Sequence, residues 1–192
     1  IILANGSPTE PLSPKALPKL KEWVENGGTL ITTGSAYKLT NKAKITDFKT
    51  LSQGKKKDKA EGNAHIEYQP YHNTAKSKSG IEGVIFNCHL DITSPLGYGY
   101  ENPNVAIMKN GTTVMDFSQI KGSSPMQYTK QPYLSGCVSL ENIKRISNAP
   151  ASIVSGSGKG NVIWFADDLN YRSYWFGGTK IFMNAIYFGQ LY

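Results

Sequence analysis

The sequence predicts an α/β fold with a mostly parallel sheet, and three observations carry that prediction. An apolar strand, a helix with one apolar face and a β-branched strand follow one another at the start of the chain, Ile1 to Thr33. A second passage from strand to helix closes it, "NVIWFADD" leading to "TKIFMNAIYF". Between the two, the pattern changes to β signals and turn residues, which predicts a β-rich insertion.

Ile1 to Ala4 reads as a short apolar strand ending in the loop Asn5-Gly6-Ser7-Pro8. Ser13-Pro14 then supplies an N-cap and a proline at the first helical position, and the helix is expected to run to Asn26. Leu17, Leu20, Trp23 and Val24 recur at helical spacing and form its apolar face, and Gly27-Gly28 supplies the left-handed stop. Pro18 falls inside the pattern, and a regular helix starting there is the alternative. Thr29 to Thr33 is the next strand, followed by the turn Gly34-Ser35-Ala36 towards Tyr37-Lys38-Leu39. Strand, helix, strand in this order imply a parallel pair with a right-handed crossover.

From about Gly54 to Gly80 the composition is polar and lysine-rich, and mobility is expected there. Strands are expected at Gly83 to Leu90, Val105 to Met108 and Thr112 to Phe117, the last two as a hairpin on Asn110-Gly111. Ser139 to Ser147 returns to helix, with Ser139 as its cap. Ala151 to Ser155 and Asn161 to Ala166 are strands joined by "GSGKG". Thr179 to Phe188 is apolar nearly all round, which predicts a buried helix. The whole of 1–192 reads as one α/β domain, with 55–135 as a loop plus β-rich insertion.

The formal charge of +7 is concentrated in Lys55, Lys56, Lys57, Lys59, Lys76 and Lys78, so a basic loop accounts for it and no nucleic-acid partner is expected. The chain has no run of 18 apolar residues, so no membrane span is expected. It opens on Ile1-Ile2-Leu3-Ala4, which reads as the middle of a longer polypeptide. Cys88 and Cys137 form neither a disulfide framework nor a metal knuckle, and their redox state stays open.

Each candidate for chemistry has a structural rival. "GSGKG" resembles a phosphate cradle, but a P-loop needs a helix after it and here a strand follows, so the hairpin turn is preferred. His65, Glu67, His72 and His89 lack metal-ligand spacing, and no metal site is assigned. Cys88 and His89 are adjacent on a strand, where successive side chains point to opposite faces, so they do not form a nucleophile and base. Ser35 stands at a strand-to-turn-to-helix passage that can expose a nucleophile, without the Gly-x-Ser-x-Gly spacing or a histidine in a compatible element. Asp167 and Asp168 follow a strand at the end where doubly wound folds place function. Catalysis competes there with a helix cap, a turn, or an ion pair with Arg172, and the structural roles are preferred. Asp167, Asp168, Asn170, Arg172, Tyr174 and Trp175 together form the candidate binding rim.

Three stretches in order, "LPKLKEWVENGGTLITTGSA", "GVIFNCHLDITSPLGYGY" and "YLSGCVSLENIKRISNAPASIVSGSGKGNVIWFADDLNYRSYWFGGTKIFMNAIYFG", resemble a known arrangement. They look like the carboxy-terminal class I glutamine-amidotransferase-like domain of secreted bacterial zinc carboxypeptidases of the M14 family. The resemblance covers most of the chain outside the lysine-rich loop. It implies a flavodoxin-like sheet with helices on both faces, an upstream peptidase domain as partner, zinc held by that absent domain, and a secreted or periplasmic location. The peptidase's ligands, a His-x-x-Glu pair and a later histidine, have no match here, since His65-Ile66-Glu67 has the wrong spacing. An active amidotransferase needs a cysteine on the nucleophile turn and a late His-x-Glu, and this chain has Gly34-Ser35 and Asp167-Asp168-Leu169 at those places. The expectation is a non-catalytic accessory domain. The alternatives are a hydrolase using Ser35 with Asp167 or Asp168, and a carbohydrate- or peptide-binding module built on Tyr171, Tyr174, Trp175 and Phe176.

Overall fold

The computed structural model describes residues 1–6, 12–13, 15–51, 80–116 and 122–192. The lysine-rich stretch with its expected mobility, together with His65, Glu67 and His72, lies outside the described residues.

A four-stranded sheet in the order β1 (Ile2–Leu3), β2 (Thr29–Thr33), β9 (Gly160–Phe165) and β8 (Ser152–Ser157) organises the molecule. β1 with β2 and β2 with β9 are parallel, and β8 joins β9 as an antiparallel hairpin turning on Gly158-Lys159. The "GSGKG" run is therefore a turn here. β9 is buried at every position, as a central strand covered on both faces must be.

Alternation along these strands feeds two cores. Leu30, Ile153, Val162, Trp164 and Ala166 face one side, where α1 (Ala16–Glu25) and α2 (Tyr37–Lys42) pack with Leu17, Leu20, Val24 and Leu39. Ile31, Val154, Ile163 and Phe165 face the other. Helices α3 (Leu140–Ile146) and α4 (Thr179–Phe188) contribute Ile146, Ile181 and Ala185 to that second core. The chain is a mixed α/β fold with a mostly parallel main sheet.

Against the second core lies a three-stranded antiparallel sheet in the order β5 (Asn104–Lys109), β4 (Val84–Leu90) and β7 (Met126–Ser135). β4 alternates as the sequence predicts, with Val84, Phe86, Cys88 and Leu90 inward. Bridges Ser123 to Val154 and Gln127 to Pro150 stitch this sheet to the edge of β8.

Four local expectations change. α1 starts at Ala16, with the Ala16 N–H bonded to the Ser13 carbonyl and no side-chain cap. Pro18 then falls in the first turn, where its missing N–H has no helical partner to lose. Trp23 does not join the buried face and is 39% exposed. The hairpin on Asn110-Gly111 does not form: β5 pairs with β4, while β6 (Met115–Asp116) pairs with β3 (Lys49–Thr50). The turn is diverted because Lys109 points inward to the Thr113 carbonyl and the Gly111 N–H bonds Ile81. Finally, α4 buries only Ile181, Asn184 and Ala185; a single face meets the sheets, so Met183, Ile186 and Tyr187 stand in solvent.

Candidate functional site

The carboxyl ends of β2 and β9 lie side by side, Thr33 opposite Phe165, and the candidate residues leave from them. Asp167 continues the alternation of β9 towards the second sheet and is buried. Its Oδ1 accepts from the Lys109 ammonium at 2.7 Å, and its Oδ2 accepts from the Tyr128 hydroxyl. Lys109, at the end of β5, also donates to the Thr113 carbonyl at 2.7 Å and to the Tyr128 hydroxyl at 3.2 Å. All three ammonium hydrogens and both carboxylate oxygens are therefore engaged. Phe86 packs edge-on against the Tyr128 ring at 5.9 Å. A charge pair out of water survives only with such complete satisfaction.

The setting shifts its neighbours. Burial pushes the Tyr128 hydroxyl well up, and the Asp167 charge adds to it. Cys88, also buried, is raised by the same two causes in the same order, with Lys109 opposing. Both groups are held neutral at physiological pH. The network ties β5 and β7 of the second sheet to the end of β9 in the first. It acts as a brace and offers no free base.

Asp168 makes an Asx-type turn, accepting from the Asn170 N–H at 3.3 Å. Of the rival structural roles read from the sequence, the turn forms at Asp168, and Arg172 does not pair with either aspartate. Its backbone is left-handed, φ 51°, as is that of Ser173, φ 56°, and the guanidinium lies over the Tyr171 ring at 5.2 Å. The kinked 171–173 turn swings it outward. Asp167 already has its cation in Lys109.

The aromatic residues of this loop lie along β5, an edge strand of the second sheet. Trp175 donates its indole N–H to the Ala106 carbonyl at 3.3 Å, Tyr174 reaches the Met108 sulfur at 3.2 Å, and the Tyr171 hydroxyl accepts from Asn110 at 3.1 Å. They cover an otherwise open strand edge. Arg172, Tyr174 and Phe176 remain exposed, Phe176 at 76%.

Ser35 follows Gly34, whose φ of 53° is the left-handed backbone that a sharp strand-to-helix turn requires. A Cβ at Gly34 would overlap the Asn5 side chain. The Asn5 Oδ1 accepts from the Ser35 N–H at 3.0 Å, and the Ser35 Oγ lies 3.0 Å from that oxygen and 2.9 Å from the Gly6 carbonyl. Trp164, between Tyr37 and Phe48, donates to the Gly34 carbonyl at 2.9 Å. The turn is thus filled by Asn5 and pinned from below. Ser35 bonds Asn5 and Gly6, and Asp167 bonds Lys109 and Tyr128.

Among the described residues no three His, Cys, Asp or Glu side chains gather as metal ligands, and Asp167 is committed to Lys109 and Tyr128. Among the described residues, no helix is long and apolar enough to cross a membrane.

Sequence reasoning missed Lys109, Tyr128 and Asn5. A lysine closing the strand "NVAIMK" reads as a surface residue, and nothing local marks Tyr128 in "MQYTK".

A scan of protein-family models gives no match to this chain. A search of curated proteins gives none either. Among solved structures the fold is similar to that of the cytoplasmic protein STM3548 from Salmonella typhimurium, at a TM-score of 0.52 and 14% identity. That match covers 97% of this chain and 70% of the other. Weaker likenesses occur to Gan42B, a GH42 β-galactosidase from G. stearothermophilus, with a TM-score of 0.42, 15% identity, and 82% of this chain against 17% of that one. A β-galactosidase from Bacillus circulans sp. alkalophilus gives a TM-score of 0.40, 11% identity, and 86% against 18%. At these identities the first likeness speaks to fold alone, and the other two support no argument.

Proposed function

We propose that this chain is a non-catalytic accessory domain of flavodoxin-like, class I glutamine-amidotransferase-like type, which supports or positions a zinc carboxypeptidase domain of the M14 kind in the same polypeptide. One observation carries the non-catalytic part. Two of the three groups that could do hydrolytic chemistry at the carboxyl end of the sheet are held in internal bonds, Asp167 by Lys109 and Tyr128 and Ser35 by Asn5 and Gly6, while Asp168 is half-buried and accepts from the Asn170 N–H. The turn where a nucleophile would sit has the fitting backbone but carries glycine, with Asn5 in the space.

What supports a binding role is the loop beside it. Arg172 and Ser173 hold left-handed backbone without being glycine, a costly conformation of the kind kept at functional surfaces. Between them and Phe176 the loop presents a cation and two exposed aromatic rings, Tyr174 and Phe176. Those groups suit docking of another domain. They also suit a peptide or carbohydrate, the second reading, although Trp175 is already turned to Ala106.

The test has two arms. Purified chain assayed with p-nitrophenyl esters, glutamine and carboxypeptidase substrates should show no turnover above buffer. A rate that Ser35→Ala or Asp168→Asn abolishes would overturn the non-catalytic reading. Joined to a zinc carboxypeptidase domain, the chain should raise that domain's unfolding temperature, and Arg172→Ala with Phe176→Ala should remove the rise. No rise at all would overturn the accessory role.

A further inference from the structure

We propose that Asn110 is a site of self-modification, at which the chain converts its own side-chain amide to a carboxylate through a cyclic imide formed with Gly111. The chain has three Asn-Gly pairs, Asn5-Gly6, Asn26-Gly27 and Asn110-Gly111, and in each the glycine, lacking a Cβ, leaves its nitrogen open to the asparagine side chain. Ring closure needs that nitrogen to swing beside the asparagine Cβ and the side-chain Cγ to turn and meet it. The fold opposes this at two of the pairs.

Asn26 caps α1 with ψ 8°, which holds the Gly27 nitrogen beside the Asn26 nitrogen and away from its Cβ. Helix-end bonds fix that geometry, the Asn26 N–H donating to the Glu22 carbonyl at 3.0 Å and the Gly27 N–H to the Val24 carbonyl at 2.9 Å. Asn5 is tethered through its side-chain carbonyl. Its Oδ1 accepts from the Ser35 N–H at 3.0 Å, its side chain fills the turn at Gly34, and its own N–H donates to the Thr33 Oγ1 at 2.8 Å. Turning Cγ of Asn5 towards Gly6 would break the bond from Ser35 and empty the turn.

Asn110 meets neither obstacle. It follows the last residue of β5, outside helix and strand, and both it and Gly111 are exposed. A Cβ at Gly111 would have nothing within 4 Å, so the loop has room to turn. The Asn110 Nδ2 donates to the Tyr171 hydroxyl at 3.1 Å and the Gly111 N–H to the Ile81 carbonyl at 2.9 Å. Both bonds belong to exposed loop residues, where local opening costs least. Once Gly111 is released, solvent base takes its proton and the nitrogen lone pair bonds Cγ of Asn110. The Cγ–Nδ2 bond breaks, and the amide leaves as ammonia with a proton from water. Water then opens either carbonyl of the imide, giving aspartate or isoaspartate at position 110. The new carboxylate would accept from the Tyr171 hydroxyl, reversing that bond, beside the Arg172 guanidinium on the same ring. The isoaspartate form adds a main-chain carbon next to Lys109, whose ammonium braces Asp167.

Peptide mapping by mass spectrometry tests this, on chain aged in mildly alkaline buffer with its circular dichroism spectrum unchanged and on chain aged in urea. In the folded chain, product should form at position 110 at least about tenfold faster than at positions 5 and 26. In urea, with the restraints of the fold removed, the three rates should converge. Asn110→Gln, which would have to close a larger ring, should lose the product at 110 and leave the other two sites as they were. Aged wild type should melt at a lower temperature than Asn110→Gln aged beside it. Conversion at position 5 or 26 as fast as at 110 in the folded chain overturns the proposal, as does a position 110 that stays intact while the urea sample converts. Equal melting temperatures after conversion overturn its effect on the brace.

Discussion

Lys109 and Asp167, 58 positions apart in the chain, meet at 2.7 Å with neither side chain more than 2% exposed. The pair joins the end of an edge strand in one sheet to the end of the central strand in the other. Its value to the fold lies in completeness, because either charge left alone would be stranded out of water.

The first prediction follows directly. Asp167→Asn and Lys109→Met should each destabilise the protein by about 3–5 kcal/mol, the usual cost of orphaning a buried charge. The double variant Lys109→Met with Asp167→Leu should lose far less than the sum. Urea unfolding of the three variants measures this, and single losses below about 1 kcal/mol would contradict the brace.

The second prediction concerns alkaline pH. Cys88 and Tyr128 have folded pKa values raised above the ordinary 9.0 and 10.0. The unfolded chain therefore releases these protons first, and the folded state binds more protons than the unfolded one above those values. Their contribution is full below about pH 9, where both are neutral in both states, and declines as pH rises towards the raised folded values. Stability should fall from pH 9 upward, and Cys88→Ala should remove the earlier part of the fall. A melting temperature that stays flat between pH 8 and 11 would count against it.

A third prediction addresses the filled turn. Gly34→Ala demands a left-handed backbone from alanine and pushes a methyl into Asn5. A loss of about 1–3 kcal/mol is expected. In an Asn5→Gly background the clash disappears, so Gly34→Ala should cost clearly less there. Equal costs in both backgrounds, read by a double-mutant cycle, would mean that Asn5 does not fill the turn.

Arg172 gives the fourth. Exposed and, among the described residues, stacked on Tyr171, it should tolerate Arg172→Ala within about 0.5 kcal/mol. Arg172→Gly should leave stability unchanged or raise it slightly, because glycine holds φ 51° without steric cost. A loss above about 2 kcal/mol for Arg172→Ala would restore a buried ion pair to the argument.

The fold was legible where it depends on local pattern. Strands β2, β4, β8 and β9, the Ser139 cap with its bond to the Asn142 N–H, and the "GSGKG" turn all follow from alternation and turn chemistry. What escaped the sequence depends on long-range pairing. Asn110-Gly111 carries the signature of a hairpin, but the inward pull on Lys109 comes from Asp167, which no local window contains. α4 looks buried because its composition is apolar, while its exposure depends on how much surface the sheets offer it. At the candidate site, the sequence put Asp167 at a strand end and offered Arg172 as a cation for one of its structural roles, whereas the fold supplies the distant Lys109.

The main sheet sets a constraint on how the protein is made. β2 needs β9 as its neighbour, and the Trp164 indole that pins Gly34 lies 130 positions further along the chain. On the ribosome, β1, β2 and the helices that pack on them must wait, with apolar faces open, until β9 has emerged. Such late closure favours slow maturation and reliance on chaperones. It also means that a nascent chain stalled or cut before Gly160 lacks the strand that joins β2 to β8.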